Sequence, residues 1–109
     1  MTDREMLELA AKAAGIEIEI TLAGLPWLAS GKRPWNPITD DGDAFRLAVR
    51  LRLEPRFLDN SHSNGAEPSR VTLHNVVGIV ESIDGAQDLF AATRRAIVRA
   101  AAEIGRQMP

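Results

Sequence analysis

Apolar residues recur at intervals of three and four over the first fifteen positions. Met6, Leu7, Ala10, Ala11 and Ala14 fall on one face of a helix predicted over residues 3–14. Thr2 and Glu5 have capping-box spacing at its start, and Gly15 supplies a natural stop. Glu8 and Lys12 stand four apart on the polar face, in the favourable order. The period then changes from 3.6 to 2. Ile16-Glu17-Ile18-Glu19-Ile20 alternates without exception, which predicts a strand with three isoleucines inward and two glutamates in water.

Periodicity fails over residues 23–40, where Gly24, Pro26, Gly31, Pro34 and Pro37 cluster with Trp27 and Trp35. That density of Pro and Gly opposes a long helix or a central strand. Two tryptophans argue against disorder, so the segment reads as an ordered loop pinned to the body by its indoles. Helical spacing returns over residues 41–53. Thr39, Asp40 or Asp41 caps this helix, and Asp43 adds charge in the first turn, where the helix dipole favours anions. Ala44, Leu47, Ala48 and Leu51 form its buried stripe, widened by Phe45 and Val49, with Arg46, Arg50 and Arg52 pointing away. Pro55 ends it by forcing the preceding residue out of helical geometry.

Residues 56–70 contain a turn by composition, Ser61-His62-Ser63-Asn64-Gly65, with short extended segments on either side. Residues 71–80 are β-branched and apolar and predict a strand, with Gly78 marking a bulge or a close approach. Asp84 and Gln87 resemble a helix start. Residues 86–105 form the longest helix, with Phe90, Ile97, Ala101 and Ile104 on one face. The predicted order is α-β-loop-α-β-β-α in a single domain over residues 1–109. The fold class is α+β, with about three helices packed on a small, mainly antiparallel sheet.

Composition narrows the chemistry. The 109 residues are 45% hydrophobic with only 5% aromatic, so the core is built mostly from Leu, Ile, Val and Ala. Cysteine is absent, which excludes disulfides, thiolate nucleophiles and cysteine-bound zinc and suits a reducing cytoplasm. The start carries acids where a signal peptide has bases. No stretch approaches the roughly 20 apolar residues that span a bilayer, so no membrane association is expected. A net charge of −2 does not favour nucleic-acid binding through bulk charge.

The motifs exclude more than they assign. Gly24 and Gly31-Lys32 superficially suggest a phosphate loop, but six residues separate the glycines and Arg33 stands where Ser or Thr is needed. Asp40, Asp41 and Asp43 lack the further oxygen ligands and distal glutamate of a calcium loop, and capping accounts for them. His62 and His74 fall outside any HExxH pattern and read as a turn and a strand residue. No cofactor, metal or catalytic residue is predicted. Two binding surfaces remain. One is the loop and helix start: Lys32, Arg33, Trp35, Asn36, Asp40, Asp41 and Asp43, where an indole and an amide stand among charges of both signs. The other is a basic face on the last helix, with Arg95, Arg99 and Arg106 able to grip phosphates.

Two segments resemble a known family: Trp35-Asn36-Pro37-Ile38-Thr39-Asp40-Asp41-Gly42-Asp43-Ala44, and the run from Ala91 through Arg94-Arg95 and Arg99 to Gly105. Together with the helical opening they resemble the phage ABA sandwich domain, a family of small phage and prophage proteins, and more distantly the NinX-type proteins of lambdoid phages. The resemblance implies an α/β sandwich, a phage origin and expression in the cytoplasm of a bacterial host. It implies no activity, and marks Trp35, Asn36, Asp40, Asp41 and Asp43 as signature positions. The expectation is a non-enzymatic accessory protein that binds a host factor or small polar ligand, with host defence as one target. The alternative is a nucleic-acid-associated protein. Edge strands in a small sheet need cover, so a homodimer is also expected.

Overall fold

The computed structural model describes residues 2–31, 33–58, 69–73, 80–83 and 89–109. Its elements are α1 (Asp3–Ala14), β1 (Ile18–Ile20), β2 (Pro26–Leu28), α2 (Asp41–Leu51), β3 (Pro55–Leu58), β4 (Ser69–Leu73), β5 (Val80–Ile83) and α3 (Leu89–Gln107). The fold is α+β, with three helices and two antiparallel sheets among the described residues. One sheet pairs β1 with β2, and the other has the order β3-β4-β5.

α1 begins and ends as its sequence dictates. Thr2 Oγ1 accepts the Glu5 N–H at 3.1 Å. Gly15 closes the helix at φ 69°, a left-handed conformation that only glycine adopts without Cβ strain. On the polar face Glu8 pairs with Arg4 rather than with Lys12, whose ammonium donates to the Met108 carbonyl. The alternation over residues 16–20 survives as half-buried isoleucines and exposed glutamates, although the paired strand spans only Ile18–Ile20.

The segment read as loop contains a strand. β2 pairs antiparallel with β1, in the register Ile18↔Leu28 to Ile20↔Pro26. Pro26 lies at the start of a two-stranded sheet, where its missing N–H breaks no ladder. α2 also ends earlier than proline alone would require. Arg52 takes a left-handed conformation at φ 55°, its N–H bonds to the Ala48 and Val49 carbonyls, and Leu53 N–H returns to Ala48 at 2.8 Å. Pro55 opens β3 instead.

Residues 71–80 are not one strand. β4 and β5 run antiparallel, with Ser69↔Ile83 and Thr72↔Val80 in register. The apolar run had no Pro or turn dipeptide to reveal the reversal. The turn at 61–65, His62, His74, Gly78, Asp84 and Gln87 lie outside the described residues.

The core joins Leu7, Ala10 and Ala11 of α1, Ala44 and Leu47 of α2, Val71 and Leu73 of β4, and Ala96, Ile97, Val98, Ala100 and Ala101 of α3. α1 and α3 make the most extensive contact, through alanines and Gly105. A Cβ at Gly105 would sit on the Leu9 backbone carbonyl, well inside van der Waals contact, so only glycine permits this approach. Two aromatic assignments change. Phe45 and Val49 do not widen the buried stripe of α2, and Phe90 does not join Ile97 and Ala101 inside; all three side chains are more than half exposed.

Candidate functional site

Trp35-Asn36-Pro37 builds the approach to α2. Trp35 is 3% exposed and belongs to the core. Its N–H donates to the Pro26 carbonyl at 3.1 Å, tying the loop to β2. Asn36 Oδ1 accepts the Ile38 N–H at 3.0 Å, an Asx turn, and the Asn36 carbonyl accepts the Thr39 and Asp40 N–H groups. Asp40 is the N-cap of α2, its carboxylate accepting the Asp43 N–H at 2.8 Å. Asp43 is the buried hub of the joint, 4% exposed. Its Oδ2 accepts the Asn36 N–H at 3.0 Å, and its Oδ1 accepts Arg46 Nη2 at 2.8 Å and faces Arg33 Nη1 at 3.7 Å. A buried carboxylate is tolerable only when it is bonded this fully.

Two depressions flank α2. On the Trp35 side an open bay of about 700 Å³ is lined by Trp35, Leu28, Arg33, Arg46, Arg50 and Glu17, among others. Arg33 and Arg46 enter it with both guanidinium groups turned to one carboxylate oxygen of Asp43. Arg50 Nε donates to the Ala14 carbonyl at the negative end of α1. On the α3 side a groove of about 560 Å³ runs between α2, the start of β3 and the first turns of α3, and Phe45 and Val49 form the ridge that lines both depressions. Its walls are apolar, and Asp41 and Arg94 close one end with a 2.6 Å ion pair.

The predicted residues therefore divide. Arg33 and Trp35 line the bay; Asn36, Asp40 and Asp43 form the joint behind it; Asp41 lies on the groove; Lys32 is outside the described residues. The basic face of α3 is largely engaged. Arg95 pairs with Asp3 at 3.2 Å and Arg106 with Glu103, and Arg99 is half-buried and not without an interaction of its own. The hydrogen bonds from Arg106 and Gln107 hold the Glu103 carboxyl below its ordinary range, and the same Glu103 contact raises Arg106. Among the described residues no three His, Cys, Asp or Glu side chains stand close enough to hold a metal ion, and no helix is long and apolar enough to cross a membrane.

Sequence reasoning missed the groove and the role of Arg94, which it counted only among the arginines of the last helix. Arg94 Nε donates to the Ile38 carbonyl at 2.7 Å while Nη1 holds Asp41, so it straps α3 to the loop. Nothing in the spacing separates Arg94 from its neighbour Arg95. The groove did leave a trace, because Phe45 and Val49 stand four apart and about 100° around from the buried stripe, a second apolar line on α2. Comparison of the chain with protein-family models, curated proteins and solved structures found no match.

Proposed function

We propose that this chain is a non-enzymatic binding module, a phage or prophage accessory protein that takes a small polar ligand or an acidic group of a host factor in the bay beside Trp35. The observation that carries the reading is the convergence of Arg33, Arg46 and Arg50 on an open depression walled by Ile16 and Leu28, with the buried Trp35 behind it. Guanidinium groups present several donors in a planar fork, and a group already bonded to Asp43 on one edge still offers its outer edge to a carboxylate or phosphate. The phage setting rests on the resemblance of the 35–44 and 91–105 segments alone.

Calorimetric titration with citrate, inorganic phosphate and nucleoside monophosphates tests the bay, together with native mass spectrometry of the chain after exposure to bacterial lysate. Binding should weaken about tenfold or more in Arg33→Gln, with little change in the melting temperature. Absence of binding to every probe at millimolar concentration, with no host protein retained, sinks the reading. Nucleic-acid binding through Arg95, Arg99 and Arg106 has less support, because Asp3 and Glu103 already hold two of the three. A gel shift abolished by Arg95→Glu/Arg99→Glu would restore it.

A further inference from the structure

The chain has three phenylalanines, and all three stand around one groove with most of their surface in water: Phe45 is 69% exposed, Phe57 58% and Phe90 64%. Val49 at 59% and Leu89 at 45% complete the rim. The backbone explains the opening. Phe57 is the register partner of Val71, so both side chains rise from the same face of the sheet. Val71 is fully buried beneath α3, but α3 lies over β4 and β5 and barely reaches β3. The Phe57 side of β3 is left uncovered, with α2 forming the far wall. β3 is also an edge, since among the described residues it pairs with β4 alone.

We infer that this groove is a self-association interface, and that its occupant is a second copy of the chain related by a two-fold axis. Three features select that occupant. A two-fold interface must be self-complementary, and this patch supplies both a hole and, in Phe45 and Val49 of α2, a protruding ridge that fills it. Its border is charge-balanced, with Asp41 and Glu54 against Arg52 and Arg94 and Asp41 already paired to Arg94, so a second copy brings no net like charge against it. The area also fits. At about 150–250 Å² for a complete aromatic side chain, the five residues leave roughly 500 Å² of apolar surface in water, at the upper end for a monomer. Two copies that bury these residues together with the groove walls between them reach about 1,000 Å², the size at which specific interfaces begin. Phe45 and Val49 line the bay as well, whereas Phe57 and Phe90 line the groove and not the bay, so changes at those two separate the dimer from the ligand reading.

Sedimentation equilibrium of the full chain over a wide concentration range tests the inference. The wild type should show a reversible monomer–dimer equilibrium, and Phe57→Glu/Phe90→Glu should weaken it by about 100-fold or more. Leu22→Glu alters an exposed apolar residue outside the groove and should leave the equilibrium unchanged. Circular dichroism of each variant separates lost association from lost folding. The absence of native cysteine allows a nitroxide to be placed on Glu54→Cys at the groove rim. A short, narrow distance between copies by pulsed electron paramagnetic resonance supports the dimer even if the double variant fails to fold. A wild type that stays monomeric at the highest concentration overturns it. So does a dimer indifferent to the Phe57/Phe90 change, or a long label distance, either of which places the contact elsewhere.

Discussion

α1 and α2 both pack against α3, and they do so by opposite means. The α1–α3 seam is dry and close, built from Ala10, Ala11, Ala96, Ala100, Ala101 and Gly105, all buried. α2 buries only Ala44, Leu47 and Ala48 as its apolar face and is tied in by polar struts besides: Asp43 to Asn36, Arg94 to Asp41 and the Ile38 carbonyl, Arg50 to the end of α1. The small residues are sealed while the large ones, Phe45, Val49 and Phe90, stand in water. Hydrophobicity alone does not decide which residue is covered. Close helix approach needs small side chains, and where large ones line a contact the backbones diverge and leave a groove.

The contrast can be broken most severely at Gly105. Gly105→Val should cost more than about 3 kcal/mol or prevent folding, because no rotamer escapes the Leu9 carbonyl. Urea titration followed by circular dichroism reads it, and a near-neutral result would mean that the helices are not in close contact. On the α2 side, Asp43→Ala should cost about 2 kcal/mol, since it strips a charged acceptor from the Asn36 N–H and from Arg46. Recovery of part of that loss in Asp43→Asn would show that the hydrogen bond to Asn36 matters beside the charge.

Smaller effects sharpen the picture. Asp40→Ala removes the N-cap bond to Asp43 and should lower stability by about 1 kcal/mol, readable as a fall of several degrees in melting temperature. Phe90→Ser should change unfolding of the dilute, monomeric chain by less than about 0.5 kcal/mol, because most of that ring is already in water. A large loss in dilute solution would place Phe90 in the core and remove the contrast with the seam.

Much of the local structure was legible in the residues. The 3.6-residue period with Thr2 and Gly15 located α1, and the acids before Ala44 located the start of α2. The isoleucine alternation found β1, though not its partner, since Pro26-Trp27-Leu28 carries proline and gains its strand character only by lying beside Ile18–Ile20. The division of residues 71–80 into β4 and β5 was invisible for a related reason: β-branched residues favour extended backbone whether it continues or folds back. In the candidate site, the indole, the amide and the acids were recognisable as a unit. Their assignment to two different sides of α2, Arg33 and Trp35 on one and Asp41 on the other, was not.

The sequence by itself determined the helices, both caps of α1, the acid-capped start of α2 and the α+β class, because period, capping and turn chemistry act within a few residues and need no partner. The tertiary structure alone decided how closely each helix approaches α3. That depends on which side chains face each other across the chain, and it buries Ala101 while leaving Phe45 and Phe90 in water. It also decided that Trp35-Asn36-Pro37 serves as the joint of α2, with Trp35 in the core and Asn36 bonded to backbone. The physical reason is the reach of the forces. Local hydrogen bonds are written in neighbouring residues, whereas burial is settled by volume and contact between segments far apart in the chain.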